Sequence, residues 1–207
     1  MKKGLGLTTE QLAIIALLSA ISFVLAFFEI PMPLSPSFAM MDLSDLPAVL
    51  AAFSIGPWGG VLVEVIKNLL QATSSSTGGI GELANCLMGC AYVLPAGLIY
   101  QRNKTKKGAL YGCIAGSLSI GVVAAVLNYF VLLPMFEMFM PIDQIIAMFS
   151  DILPFIHTKF DVCLYNALPG NIFKGVIISI ISMLIYKPLS PVLHYSRSAS
   201  RTAARRA

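Results

Sequence analysis

A chain of 207 residues that is 57% hydrophobic and only 12% charged, with a mean hydropathy of +0.82, lies outside the composition of soluble domains and reads as an integral membrane protein. The formal charge of +4 does not point to nucleic acid, because the basic residues sit in short loops and at the two ends, where they orient a chain in a bilayer. Four cysteines, Cys86, Cys90, Cys113 and Cys163, form no CxxC pair and read as small packing residues.

In chain order, the first helix is expected over residues 9–28, with Thr8 or Thr9 as its cap. It is uncleaved, since Glu29-Ile30-Pro31 follows Phe28 where a small-x-small signal would stand. Pro31, Pro33 and Pro36 set an extended loop as far as Ser44. Ser44, Asp45 and Pro47 open a second helix over 46–55, which Gly56-Pro57-Trp58-Gly59-Gly60 breaks before a third over 61–71. A polar linker over 72–79 leads to a fourth helix over 82–100, and the basic loop 101–107 to a fifth over 108–136. An external segment over 137–167 carries Phe149, Phe155, Phe160 and Tyr165 in an amphipathic pattern, so a short surface helix is expected to fold over the outer mouth. The last helix is expected over 168–187, ahead of a basic tail, 188–207, the whole chain forming a single membrane domain.

Loop charge decides the topology. If residues 46–71 go in and come back as a short helical pair, then Lys2 and Lys3, the 101–107 loop and the basic tail all fall on the cytoplasmic side. The segments left outside, 30–45, 72–81 and 137–168, hold only one basic residue, Lys159. The expected fold class is therefore an all-α membrane bundle of six transmembrane helices, both termini cytoplasmic, multi-pass in the cell membrane.

On this topology Lys67 and Asn68, Asn85, Asn128, and Asn171 with Lys174 all fall in the outer third of four helices. One such residue alone reads best as an interhelical hydrogen bond worth about 1 kcal/mol. Six at one depth favour a cavity open to the outside. Asn offers a donor and an acceptor side by side, the complement of an imide or amide edge. Met40, Met41, Trp58, Tyr129 and the lid aromatics would supply apolar walls, and the starts of the fourth and sixth helices would aim positive dipole ends at the ligand. A planar heterocycle with a polyol tail fits better than an ion, for which a chain of carboxylates or histidines through the full thickness would be needed. Glu64, one turn before Lys67, reads as its salt partner, and Asp42 and Asp45 as loop and cap residues.

No phosphate-binding loop, HExxH, GxSxG or metal spacing occurs, since His157 and His194 stand alone, so no enzyme, cofactor or metal is expected. The helices show no two similar halves, so uptake would be driven by another subunit. Ala13, Ala16 and Ala20 form a small-residue stripe on the first helix against which a partner helix could pack.

Leu17-Leu18-Ser19-Ala20-Ile21, Asp42-Leu43-Ser44-Asp45-Leu46-Pro47, Ile66-Lys67-Asn68-Leu69-Leu70, Gly81-Glu82-Leu83-Ala84-Asn85, Leu127-Asn128-Tyr129-Phe130-Val131-Leu132-Leu133-Pro134 and Asn171-Ile172-Phe173-Lys174-Gly175 resemble, in order and over about residues 10–190, the riboflavin-specific S-components of energy-coupling factor (ECF) vitamin importers. The resemblance implies a six-helix subunit that binds riboflavin in an outward-facing pocket and docks on a transmembrane coupling subunit (EcfT) carrying two ATPases, EcfA and its paralogue. It implies that Asn128, Asn171 and Lys174 contact the isoalloxazine ring, that Met41 and the loop through Asp42 to Asp45 cover the ligand, and that the alanine stripe meets the coupling subunit. Lys67, Asn68, Asn85 and Tyr129 join the expected site on the residue argument. The chain departs from the family pattern at Gly170, where an aromatic is usual, which implies a roomier mouth able to admit the phosphorylated flavin FMN. The competing readings are an S-component for thiamine or pantothenate, an intramembrane enzyme acting on a lipid through Asp42, Glu64 or Glu82, and a purely structural membrane subunit.

Overall fold

The computed structural model describes residues 7–37, 39–75 and 78–185. The expectations for Lys2 and Lys3, for His194, and for the end of the last helix and the tail beyond Ile185 lie outside them. Helix α1 (Thr9–Leu25) opens on a capping box, in which Thr8 accepts from the Gln11 N–H and the Gln11 side chain accepts from the Thr8 N–H. It buries Ile15, Ser19, Ser22 and Ala26, one face at helical spacing. The opposite face leaves Leu12, Leu17, Ile21 and Val24 exposed, as suits a helix bordered by lipid rather than water.

The chain that follows is not the plain extended loop the prolines suggest. Ile30–Pro31 (β1) and Met40–Met41 (β2) pair antiparallel, with Ile30 opposite Met41. Helix α2 (Asp45–Ser54) is buried almost throughout, and Ser22 Oγ of α1 donates to the carbonyl of Ser44 just ahead of it. The turn into α3 (Pro57–Ala72) rests on one residue: Gly56 has φ +134°, and a Cβ there would stand 2.5 Å from Gln101 Nε2. The break is therefore shorter than expected. Pro57 occupies the first turn of α3, where its missing N–H costs nothing, and Gly59 and Gly60 are helical.

Among the described residues, three helices are long and apolar enough to cross a membrane: α4 (Ile80–Arg102), α5 (Lys106–Glu137) and, after the short α6 (Ile142–Ser150), α7 (Lys159–Ile185). The start of α7 corrects the expected 168. Pro169 does not begin the helix but lies inside it, and Pro134 lies inside α5 in the same way. Each follows a π turn, Asn128–Leu132 and Cys163–Ala167, in which the N–H of Leu133 reaches the carbonyl of Asn128 and that of Leu168 the carbonyl of Cys163. Phe130 and Tyr165, four residues before the prolines, fall inside these wider turns, which take up the clash that a proline ring makes with that carbonyl. Asn171 and Lys174 thus sit about three to four turns into their helix rather than at its start.

The main core joins α2, α3, α4 and α5 around Val49, Ala52, Val63, Tyr92, Val93, Ala96 and Ile120. A second core, with Leu133, Ile145, Phe149, Ile156, Val162 and Cys163, pins α6 and the following loop over the ends of α5 and α7. Burying a side chain the size of Ile145 or Phe149 stabilises that cap by about 1.5–3 kcal/mol.

Candidate functional site

A cavity of about 210 Å³ lies under the β1–β2 ribbon, walled by α4, α5 and α7 and roofed by α6. Of the sequence-expected residues, Met41, Asp42, Asn85, Asn128, Asn171 and Lys174 line it, together with Met40. The two π turns frame it. Asn128 is the first residue of one, and Asn171 follows the other by one helical turn.

Asn128 and Asn171 are held in the same way. Each donates one amide hydrogen to the carbonyl four residues earlier, Ala124 at 2.8 Å and Ala167 at 2.9 Å. That bond fixes the side-chain torsions. Among the described residues nothing donates to either Oδ1, so each side chain keeps an acceptor and a second N–H for the cavity.

Behind the wall runs a continuous polar network. Asn85 Nδ2 donates to Asn68 Oδ1 at 3.1 Å, and Asn68 Nδ2 to the Glu64 carbonyl at 2.8 Å. Glu64 Oε2 lies 2.7 Å from Lys67 Nζ, which also reaches Asp45 Oδ1 at 2.8 Å and Ser44 Oγ at 3.0 Å. The other Asp45 oxygen lies 2.9 Å from Lys174 Nζ, and Asp42 Oδ1 is 3.8 Å from the same ammonium. The network begins and ends on cavity-lining residues. It ties α2, α3, α4 and α7 together at one level.

These contacts redistribute the expected roles. Lys67 and Asn68 are buried and do not line the cavity; they stand one layer behind, holding Asn85 and, through Asp45, Lys174. Glu64 pairs with Lys67 as their spacing requires. Asp45 is not a cap, since neither it nor Ser44 makes a side-chain capping bond to α2; it is the carboxylate that bridges both lysines. Asp42 Oδ1 accepts from the Ser44 N–H at 2.7 Å, which shapes the entry to α2. Tyr129 points elsewhere. Its ring packs edge-on against Phe130, 5 Å away in round terms (4.9 Å), and lines a separate apolar cleft with Phe160. Trp58 is 63% exposed at the opposite end of α3, and of the lid aromatics only Phe149 reaches the cavity, while Phe155 and Tyr165 pack on each other.

Other wall residues escaped the sequence reading: Met32, Met88, Phe136 and Asn166. Asn166, an amide within the apolar run 162–168, would have stood out had the last helix been started at Lys159. It holds the loop above it, donating at 2.8 Å to the carbonyl of Leu34, whose φ of 56° is left-handed, and pairing at 2.8 Å with Ser35 Oγ. Gly170 does not widen the mouth. A Cβ there would stand 2.4 Å from Met32 Sδ, so the thioether already fills the space an aromatic would take. On α1, Ala13, Ala16 and Ala20 are all exposed.

The model of the ECF transporter substrate-specific component matches residues 10–186. The chain is 35% identical over 189 residues to Riboflavin transporter RibU of Staphylococcus aureus (strain TCH60), covering 89% of this chain and 92% of that one. It is 30% identical over 193 residues to Riboflavin transporter FmnP of Bacillus subtilis (strain 168), covering 92% and 97%. A solved structure described as the S component of a bacterial ECF transporter superposes with a TM-score of 0.72 at 34% identity, over 89% of this chain and 97% of that one. With the fold and nearly the full length matched, the chain belongs to the substrate-specific component family of ECF transporters.

Proposed function

We propose that this membrane protein captures riboflavin from outside the cell in the cavity between α4, α5 and α7, and delivers it inward when docked on an ATP-driven coupling module. The observation that carries this reading is the pair of asparagines, Asn128 and Asn171, each held by its own helix with an acceptor and a donor left over, on the wall that also bears Lys174. Together they match the alternating carbonyl and N–H edge of the isoalloxazine ring, with Met41, Met88 and Phe136 as apolar surface for its face. Riboflavin transport is also what the relatives from Staphylococcus and Bacillus are named for.

Six spans, α1 to α5 and α7, with both termini cytoplasmic in the bacterial plasma membrane, accord with the charge pattern. Residues 30–45 and 72–81 carry no Lys or Arg, and 101–107 carry four. The exposed stripe of Ala13, Ala16 and Ala20 on α1 is the surface on which a transmembrane coupling subunit, EcfT with its two ATPases, would pack. The chain acts by binding and by docking, not as an enzyme.

Purified protein should carry a yellow chromophore absorbing near 450 nm, roughly the flavin band, or quench added riboflavin fluorescence once stripped. Colourless protein that leaves riboflavin fluorescence unchanged would overturn the reading. Release of thiamine or pantothenate on mass spectrometry would assign the cavity to another vitamin.

A further inference from the structure

A long groove between α5 and α7 has none of the cavity's chemistry. It holds about 500 Å³, runs from Leu118 and Ile172 to Leu110 and Leu184, and is almost wholly apolar. The two hydroxyls in its wall are already used within their own helices. Ser117 Oγ donates to the Cys113 carbonyl at 2.9 Å and Ser179 Oγ to the Gly175 carbonyl at 2.6 Å. A ligand that relies on hydrogen bonds gains little here.

The groove follows from where the two helices meet. A Cβ on Gly175 of α7 would stand 2.8 Å from Ser117 Cα of α5, and one on Gly121 of α5 2.5 Å from Ile172 of α7. From this close contact the groove runs on toward Leu110 and Leu184, and Ile114, Leu118 and Ile180 along it are exposed. In a membrane chain that surface faces lipid.

Length, rim and charge say what fills it. Leu110 to Leu118 is about 12 Å of helix at 1.5 Å per residue, within the roughly 15 Å that one leaflet gives to a hydrocarbon core about 30 Å thick. Helices in membranes pack through small residues, whereas leucines and isoleucines make this rim. At its head stand Lys106 and Lys107, four and three residues before Leu110 and so one turn further along the same stripe. Both are exposed, and among the described residues neither is joined to a carboxylate. Residues 101–118 contain no Asp or Glu at all. Long aliphatic stems carry such ammoniums from a groove's edge to headgroup level.

We propose that this groove seats an acyl chain of an anionic phospholipid, whose phosphate pairs with Lys106 and Lys107. The site is separate from the flavin cavity and does not rest on the riboflavin reading. Ile172, which lines it, is the neighbour of Asn171, so a seated chain braces α7 behind the cavity wall.

The test is native mass spectrometry of the delipidated full chain in detergent, offered equal amounts of phosphatidylglycerol and phosphatidylcholine with the same acyl chains. Phosphatidylglycerol is expected to be retained at least about fivefold over phosphatidylcholine, the worth of one lysine near an anionic lipid surface. K106Q/K107Q leaves Arg102 and Lys104 to orient the loop, and should bring the two lipids to within about twofold of each other. Ile180→Trp, at an exposed position of the rim, should fill the groove and remove most bound lipid of both kinds. The thermal midpoint of each variant shows whether it is folded, and the wild-type ratio needs no variant. Equal retention of the two lipids by wild type overturns the proposal. So does a preference that folded K106Q/K107Q keeps, or lipid undiminished in folded Ile180→Trp. A dimer in place of bound lipid, lost in Ile180→Trp, overturns it too and gives the groove to a second copy of the chain.

Discussion

The two ends of this bundle are held together by opposite means. Away from the cavity, helices meet where a side chain has no room: a Cβ on Gly112 of α5 would stand 2.6 Å from the carbonyl oxygen of Ala96 on α4, one on Gly116 2.7 Å from that of Tyr92, and one on Gly60 of α3 2.6 Å from that of Ala48 on α2. At the cavity end amides and ion pairs link the helices. Tyr92 marks the border, its hydroxyl 2.8 Å from Ser179 Oγ and within 3.3 Å of the Gly175 carbonyl of α7. Apolar close contact needs no partner atoms and sets the helices in place. The polar end needs every partner, and so it can position groups toward a ligand but tolerates the loss of none.

The sharpest way to break that contrast is at Asp45. It has no exposed surface and bridges Lys67 and Lys174 with different oxygens. Asp45→Ala leaves two buried ammoniums short of a counter-charge and should cost about 3–5 kcal/mol of stability, read as a large drop in the thermal midpoint in detergent, with loss of riboflavin binding. A midpoint within a few degrees of wild type would show that water or movement relieves the cluster, and that the polar end is not brittle.

One step down, Asn128→Ala and Asn171→Ala should each weaken riboflavin binding by about 1–3 kcal/mol, since a buried ligand group loses its partner. Stability should hardly change, because each amide's bond within the protein is to a carbonyl of its own helix. Unchanged affinity in both variants would make these residues structural and remove the main support for the cavity as a flavin site. Gly112→Ala and Gly116→Ala should do the reverse. Overpacking against a backbone carbonyl costs about 1–3 kcal/mol, yet the fraction that folds should bind riboflavin with wild-type affinity, which isothermal titration of the purified variants measures.

The close-packed end and the polar end were not equally legible. Glu64 and Lys67 could be paired by eye because three residues on a helix bring them together. Asn85, Asn128, Asn171 and Lys174 could be grouped by depth alone, and the cavity does gather them. Asp45 could not be placed, because Ser44-Asp45 before Pro47 carries a strong local signal for a helix cap, while its role comes from α3 and α7, more than 20 and more than 120 residues away by sequence number. Pro169-Gly170 reads locally as a helix break for the same reason. A π turn has no composition of its own, so Cys163–Ala167 and the helix it extends back to Lys159 were hidden, and with them Asn166. The pairing of Met32 with Gly170 was equally invisible, being a contact between a loop and a helix rather than a spacing.

The smallest expected effect is at Tyr129. It sits next to Asn128 at the start of the π turn, and an aromatic beside a binding asparagine is a natural wall for a flat ring. The π turn sends the two side chains to different places. Asn128 lines the cavity, whereas Tyr129 packs against Phe130 with ring centroids 4.9 Å apart and lines an almost wholly apolar cleft with Ala125, Phe160 and Leu164. Tyr129→Phe should therefore leave riboflavin affinity within about twofold of wild type, the scatter expected of a change away from the site, and Tyr129→Leu should do little more. A tenfold loss in either variant would mean that the π turn rearranges when the ligand enters and swings Tyr129 inward, and it would make the cavity end a moving part rather than a prepared one.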